Sequence, residues 1–315
     1  MNHKVLRRIA GAIGPMAASP WRSPPASRSQ GASARRERPR PRRSASAARR
    51  ACPSRSSARA PPPRCWPRRT RRTAAKLEDA DFVERFARFA NAQLNPEPGA
   101  NVAEDASYTL AKYVLENDKP WKDMFVGKYD VTDEVTEDPN GLGYFRSDAW
   151  MRRYAGNEDE GYRIVAAYRI LQNTTGLKLT ATTNVDGVDL SATGRAAAAC
   201  KGCHYDNWYA LDKVSKVLSR RKGKGNNMTF DPPTDGPQQI LGGKTIKDDQ
   251  EFVEALVASE NFKFRACRVA FEFLYGRAES TCEGAVFDKC VDAFVQDGSM
   301  KTAIATIAKD PSFCQ

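Results

Sequence analysis

Histidine is scarce in this chain of 315 residues, which contains only His3 and His204. A structural zinc site needs four Cys or His ligands, usually supplied as closely spaced pairs. The sequence has one Cys-x-x-Cys pair, at Cys200 and Cys203, and neither a second such pair nor a pair of histidines. A zinc-finger type of site is therefore excluded for lack of ligands.

Long apolar runs are also missing. A transmembrane helix needs about 20 consecutive, mostly apolar residues, and no such run occurs in the sequence. Residues 1–14 begin like a secretory leader, with Lys4, Arg7 and Arg8 before a short apolar stretch, but residues 15–22 interrupt that stretch. We therefore expect no membrane-spanning helix and an interrupted signal peptide.

Acidic residues are almost absent from residues 1–75, where 20 Lys and Arg face only Glu37 and the net charge is +19. The remainder of the chain has 30 basic and 37 acidic residues, a net charge of −7. The first segment also holds 11 of the 19 prolines and few periodic apolar residues, so we expect it to be disordered. The high pI belongs to this segment and does not make the whole protein a nucleic-acid binder.

Three interpretations of the basic segment stay open. The first is an upstream reading-frame or start-site error, by which an out-of-frame translation rich in Arg, Pro and Ser has replaced a signal peptide and linker. We favour this hypothesis. A genuine disordered arm is the second interpretation. A tail that binds nucleic acid or another anionic surface is the third.

The most informative feature that is present is the pentapeptide Cys200-Lys201-Gly202-Cys203-His204. It matches Cys-x-x-Cys-His, the attachment sequence of a c-type haem. Two thiols three residues apart lie on one side of a helical turn, where they can add to the two vinyl groups of one porphyrin, and the adjacent imidazole reaches the iron. The motif predicts one covalent haem per chain, with Cys200 and Cys203 as thioether anchors and His204 as the proximal iron ligand.

The alternatives for this motif are a redox or metal-binding cysteine pair and an inert loop. A thioredoxin-type motif follows a strand in a βαβ unit. Here Gly194, Arg195 and a run of four alanines precede the first cysteine, and alanine favours helix. The sequence around the motif therefore favours haem attachment.

Residues near the motif are candidates for the surroundings of the haem. Trp208, Tyr209 and Leu211 follow the histidine and are candidates for an apolar wall, which would raise the reduction potential by excluding water. Met228 lies in a loop rich in Gly, Asn and Pro, at residues 223–233, and is the candidate distal iron ligand. An ordinary loop methionine, another weak ligand or an open iron position are the alternatives.

Four further cysteines lie in the last 50 residues, Cys267, Cys282, Cys290 and Cys314. An even set of this kind predicts two disulfides, for which three connectivities exist. Helices predicted at 261–275, 283–295 and 299–309 would place Cys267 level with Cys290 in an antiparallel pair and bring Cys314 near Cys282. We predict these two pairs and, since disulfides and covalent haem both need an export-linked environment, a periplasmic or other extracytoplasmic location.

The apolar periodicity predicts a mainly α fold, a cytochrome c-like haem segment with a disulfide-braced C-terminal helical domain. Stripes such as Phe82, Phe86 and Phe89 are typical of amphipathic helices, and strand content is minor, with at most one hairpin in 177–190. After the basic segment we expect a helical region at 76–190, the haem-binding segment at 191–245 and three or four helices at 246–315.

The order of features from Trp121 onward resembles the planctomycete-type cytochrome family. It is carried by the haem motif, Leu241-Gly242-Gly243-Lys244, the helix that ends in Tyr275-Gly276-Arg277, and Asp310-Pro311-Ser312-Phe313. The resemblance implies an electron-transfer module joined to a helical C-terminal domain of unknown function. Members often follow the haem histidine with a stretch like Asp-Pro-Leu-Gly-Phe, where this chain has residues 205–209 as Tyr-Asp-Asn-Trp-Tyr.

Together these features predict a monohaem c-type cytochrome that transfers single electrons to redox partner proteins, rather than an enzyme with its own substrate. The acidic charge of residues 76–315 favours partners with a basic docking surface. One rival is a haem enzyme of the peroxidase type, although the sequence shows no distal His and Arg pair. The other is a surface structural or interaction protein in which the haem domain is vestigial.

Overall fold

The protein is described by a computed structural model, which covers residues 76–99, 105–154, 163–180, 187–222 and 229–314. Helices make up most of these residues, and the strands among them are short pieces paired as antiparallel hairpins. The mainly α fold is thus confirmed. No helix in this part of the chain is long and apolar enough to cross a bilayer. Residues 1–75 and Met228 lie outside the described residues, so what we predicted for them stays a prediction.

The N-terminal helical region is built around two long helices that pack on each other. The first ends just before Asn95 and Pro96, as predicted, because a proline disfavours helical conformation in the residue before it. In the second, Leu110 and Val114 are buried as their spacing predicted. The elements are α1 (Ala80–Leu94), α2 (Ala106–Glu116), α3 (Asp123–Val126), β1 (Tyr129–Val131), β2 (Val135–Glu137), α4 (Asp148–Tyr154) and α5 (Arg163–Thr175).

The middle of the chain consists of short elements held on this helical region. They are α6 (Ala192–Arg195), α7 (Ala198–Lys201), a π-helical turn (Gly202–Asp206), α8 (Leu211–Val217), β3 (Arg220–Lys222), β4 (Thr229–Asp231), β5 (Gln238–Ile240) and β6 (Lys244–Ile246). Helix α8 packs against α5 and β5, with Val214 and Val217 fully buried. Its two valines therefore fix α8, and the turn that precedes it, to the core.

The C-terminal helices are α9 (Asp249–Val257), α10 (Glu260–Tyr275), α11 (Gly284–Asp297) and α12 (Met300–Lys309). The last three agree with the predicted helices to within two residues at each end. Ser259 caps α10 by accepting a hydrogen bond from the Phe262 N–H, a role for which serine is strongly preferred. Capping residues and apolar spacing were thus enough to locate these helices.

The disulfide predicted between Cys267 and Cys290 is present and joins α10 to α11. Its Cα atoms are 6.0 Å apart, and both cysteines are fully buried. Cys282 is also disulfide-bonded. The side chain of Cys314 lies outside the described side chains, so the predicted Cys282–Cys314 pair stays a prediction.

One cluster of buried side chains runs from Leu77 to Ile307. Aromatic contacts join N-terminal and C-terminal parts of this cluster. The centroid of the Phe86 ring lies 5.0 Å from that of Phe273 and 5.8 Å from that of Trp121, both in edge-to-face geometry. The segments 76–190, 191–245 and 246–315 all contribute to this core, and their division into domains stays a prediction.

The hairpin predicted between Leu177 and Leu190 is not seen in its described parts, because 177–180 and 187–190 contain no strand; residues 181–186 lie outside them. Val188 and Leu190 are 42% and 55% exposed, and a two-stranded hairpin without a packed face is marginal. The β5–β6 hairpin forms instead where Gly242 and Gly243 adopt φ of 79° and 98°.

Replacing both cysteines of the buried pair, as C267A/C290A, should lower the free energy of unfolding by about 2–4 kcal/mol, because the cross-link restricts the unfolded chain. Urea denaturation of the oxidised proteins measures the difference. The matched control is C200A/C203A, which removes two cysteines that form no disulfide. All the proteins are compared in the haem-free state, because these two cysteines are the predicted haem anchors. Equal stability of the wild type and C267A/C290A would contradict the prediction.

The carboxylate of Glu283 makes the free energy of unfolding depend on pH. It accepts hydrogen bonds from Arg277 and from the Ser280 N–H. The Arg277 hydrogen bond, opposed by partial burial, lowers the pKa of Glu283 from 4.5 to about 2. Since the folded pKa lies below the unfolded one, the ionised carboxylate stabilises the protein above about pH 4.5, and this contribution is lost as the pH falls toward 2.

The substitution E283Q should therefore lower the free energy of unfolding by about 1 kcal/mol at pH 7 and by progressively less as the pH falls below 4.5. Urea titrations across this pH range measure the difference. E137Q, at an exposed strand position, is the control and should leave the pH profile unchanged. A deficit of E283Q that is independent of pH would disprove the assignment.

Candidate functional site

The motif at residues 200–204 crosses from α7 into the π-helical turn. Cys200 lies in α7, whereas Cys203 and His204 lie in the turn. The Asn207 N–H closes the turn by donating to the carbonyl of Gly202, at 2.9 Å. The helical conformation predicted here is present, but in the wider π form, which is rare and occurs frequently at functional sites.

The imidazole of His204 is held by Asp212, the second residue of α8. Nδ1 of the histidine donates to Oδ2 of the aspartate at 2.6 Å, and the two side chains are only 21% and 8% exposed. This contact places a proton on Nδ1, so that in the neutral imidazole the lone pair is on Nε2. That is the tautomer and orientation in which a histidine serves as a metal ligand.

The carboxylate of Asp212 has two further donors. Nε of Arg195 lies 3.1 Å from both of its oxygens, and Nη2 lies 2.9 Å from Oδ1, which is the two-pronged geometry of a strong charge-assisted pair. The Tyr205 hydroxyl donates to Oδ1 at 3.2 Å. Burial raises the pKa of Asp212, but the hydrogen bonds from Arg195 and His204 outweigh burial, and the pKa is lowered overall. The buried carboxylate is therefore ionised.

Sequence reasoning did not identify Arg195, Tyr205 or Asp212. An acidic residue in the first turn of a helix is ordinary, because it interacts favourably with the helix dipole. An arginine at a helix end is equally common. The cluster depends on how α6, the π-helical turn and α8 are placed in space, and no local spacing in the sequence signals it.

The two thiols of the motif are both free, with Cys200 half-buried and Cys203 exposed. Sγ of Cys203 lies 3.3 Å from the hydroxyl of Tyr209, and this hydrogen bond, with partial burial, raises the pKa of Tyr209. The Trp208 ring packs edge-on against Tyr209 at 5.4 Å. The structure thus places Tyr209, one of the three predicted wall residues, against the second thiol, and Trp208 against Tyr209.

The loop that carries Trp208 is tied to the β5–β6 turn. The Leu241 N–H donates to the carbonyl of Trp208 at 2.8 Å, and a cleft of about 230 Å³ lies between this turn, Trp208 and the end of α9. Leu211, the third wall candidate, is buried in the core cluster.

Apolar surface is left uncovered around the motif. Six large apolar side chains of the described residues are exposed, and three of them, Val188, Leu190 and Trp208, fall within 22 residues of one another around the motif. Alanines 196–199 are also exposed. Leu190 lies beside the cluster, because its carbonyl accepts a hydrogen bond from Arg195. These exposed apolar side chains are close to the motif in the sequence.

The methionines of the described residues are all accounted for by the core. Met124, Met151 and Met300 are at most 4% exposed. Met228 lies in the segment 223–228, outside the described residues, so its position relative to His204 stays a prediction.

The residues at the site fit a covalently attached haem. Two free thiols flank a turn, an oriented histidine presents Nε2, and neighbouring apolar side chains are uncovered. Within the part of the chain that the structure describes, no group of three or more His, Cys, Asp and Glu side chains is placed to hold a metal ion directly.

Comparison with known proteins found no similar protein. No protein-family model matches the sequence, and neither the curated proteins nor the solved structures contain a match. The functional conclusion therefore depends on the chemistry of the site.

In the protein prepared without haem, Cys203 should react with iodoacetamide several-fold faster than Cys200, because its side chain is exposed and that of Cys200 is half-buried. Peptide mass spectrometry over a time course measures both rates. Cys267 and Cys290 are the internal controls and should stay unlabelled until the protein is reduced. Equal rates, or a disulfide between Cys200 and Cys203, would contradict the geometry.

Proposed function

We propose that this protein is a monohaem c-type cytochrome that carries single electrons outside the cytoplasm. The observation that carries the proposal is the hydrogen bond from Nδ1 of His204 to the buried Asp212, next to two free thiols at the spacing of haem attachment. A half-buried histidine without a function would not need an ionised acid buried against it, since burying a charge costs several kcal/mol unless it is paired.

The residues have distinct roles in this proposal. Cys200 and Cys203 form the two thioethers, and Nε2 of His204 binds the iron. Tyr209 lies next to Cys203 and Trp208 packs against Tyr209, so the two side chains would cover one edge of the macrocycle. The haem supplies one-electron redox chemistry at its iron, and the protein supplies attachment, orientation and electrostatics.

Met228 is the proposed distal ligand, because it follows α8 and β3 closely in the sequence and the other methionines after the basic segment are in the core. A His and Met ligand pair raises the reduction potential and suits reversible electron transfer.

The location follows from the covalent chemistry. Haem attachment to cysteines and the disulfide between Cys267 and Cys290 both suit an oxidising, extracytoplasmic compartment. Membership of the planctomycete-type cytochrome family is part of the proposal and is supported by the order of the sequence features named above.

Redox proteins are the proposed partners, and the charge near the site bears on their docking. Residues 191–245 contain nine Lys and Arg and four Asp and Glu, so this segment is basic on a chain that is acidic from residue 76 onward. The overall charge favours a basic partner surface, whereas the segment that carries the motif favours an acidic one. Because charge complementarity acts at the site of contact, we place a partner's acidic surface against this segment.

A haem enzyme of the peroxidase type is the second candidate, and the buried carboxylate on His204 favours it. A carboxylate partner makes the histidine a stronger electron donor, which stabilises oxidised iron. This candidate requires an open iron position, so that peroxide is consumed catalytically. A protein with a distal ligand such as Met228 would instead cycle between two oxidation states without consuming peroxide.

The test of the proposal is the alkaline pyridine haemochrome spectrum of the chain exported behind an efficient signal peptide, in a host with haem-attachment machinery. We expect one haem per chain that survives denaturation and acid-acetone extraction. The double variant C200A/C203A should retain none of this covalent haem, because both thioethers are lost.

The control is C267A/C290A, which lacks a cysteine pair in another part of the fold and should keep its covalent haem. A wild-type protein that is folded, exported and free of covalent haem would disprove the proposal.

A further inference from the structure

We propose that Asp212 and its donors Arg195 and Tyr205 tune the electron donation of His204, and thereby the reduction potential of a haem bound through this histidine. Asp212 is in this view a positioning residue that acts through His204. The inference rests on the proposed function and adds the groups that regulate its site.

Asp212 strengthens His204 as an electron donor. Its Oδ2 accepts the Nδ1 proton at 2.6 Å, which draws that proton toward the carboxylate and raises the electron density of the ring. With only 8% of its side chain exposed, Asp212 is poorly screened by water, so the hydrogen bond is stronger than on the surface. A more electron-rich ligand stabilises ferric iron relative to ferrous iron and lowers the reduction potential.

Arg195 acts on the same carboxylate in the opposite direction. Its guanidinium contacts both oxygens of Asp212, at 2.9 and 3.1 Å, and so withdraws charge from the oxygen that faces the imidazole. The carbonyl of Leu190 accepts a further hydrogen bond from Arg195 and holds the guanidinium in place. Without Arg195 the carboxylate would pull harder on the Nδ1 proton.

Tyr205 acts like Arg195 but carries no charge. Its hydroxyl donates to Oδ1 of Asp212 at 3.2 Å, so removing it changes the hydrogen bonds of the carboxylate and leaves the net charge of the site the same. This residue separates an effect carried by the hydrogen bonds from a simple effect of a nearby charge.

The experiment is a redox titration of four variants of the haem-loaded protein. D212N should raise the reduction potential. R195Q should lower it, and Y205F should lower it by less. D249N is the matched control, because Asp249 also forms a mostly buried ion pair with an arginine, Arg146, at 2.8 Å, but outside the motif. D249N should leave the potential unchanged even if it reduces stability.

The haem content of each sample, from its pyridine haemochrome spectrum, separates the possible failures. A wild type without covalent haem would overturn the proposed function, and this inference with it. Suppose that the wild type carries haem and that Y205F and R195Q both have the wild-type reduction potential; the inference is then wrong and the proposed function stands. The same conclusion follows if all variants shift the reduction potential in one direction. If D212N binds no haem, the inference is tested by the reduction potentials of R195Q and Y205F alone, which should both lie below that of the wild type.

Discussion

The packing of α8 on the helical core is the constraint on which the candidate site depends. Val214 and Val217 are fully buried, so α8 cannot rotate without exposing them, at about 1.5–3 kcal/mol for each side chain. This orientation places Asp212 against His204. An amphipathic helix that is ordinary by its sequence therefore sets the direction of the imidazole, which is the property a metal-binding histidine needs most.

Electrostatics then explains why the site is a cluster and not a single contact. Asp212 is ionised and nearly buried, and such a charge is tolerated only with hydrogen-bonding partners. Arg195, His204 and Tyr205 supply them from α6 and the π-helical turn. One buried carboxylate on α8 thus holds two short elements, α6 and the π-helical turn, that contain no buried residue. It links the stability of this region to the orientation of the proposed iron ligand.

The parts that sequence reasoning predicted well are those governed by short-range rules. Helices α10, α11 and α12 follow from capping residues and apolar spacing, and the level of Cys267 with Cys290 follows from the rise per residue. At most one hairpin was expected in 177–190. The described residues 177–180 and 187–190 contain no strand, and residues 181–186 lie outside the described residues. Hairpins form elsewhere, for example at β5 and β6, where two glycines with positive φ permit the turn.

The sequence by itself determined the mainly helical class, the buried disulfide and the three residues of the motif, because each is encoded by residue type at close spacing. Only the tertiary structure decided that Asp212 holds His204, that Arg195 and Tyr205 hold Asp212, and that Tyr209 lies beside Cys203. The physical reason is that His204 and Asp212 meet across a loop between two elements, at a distance set by the burial of α8. No periodicity of the chain specifies that distance.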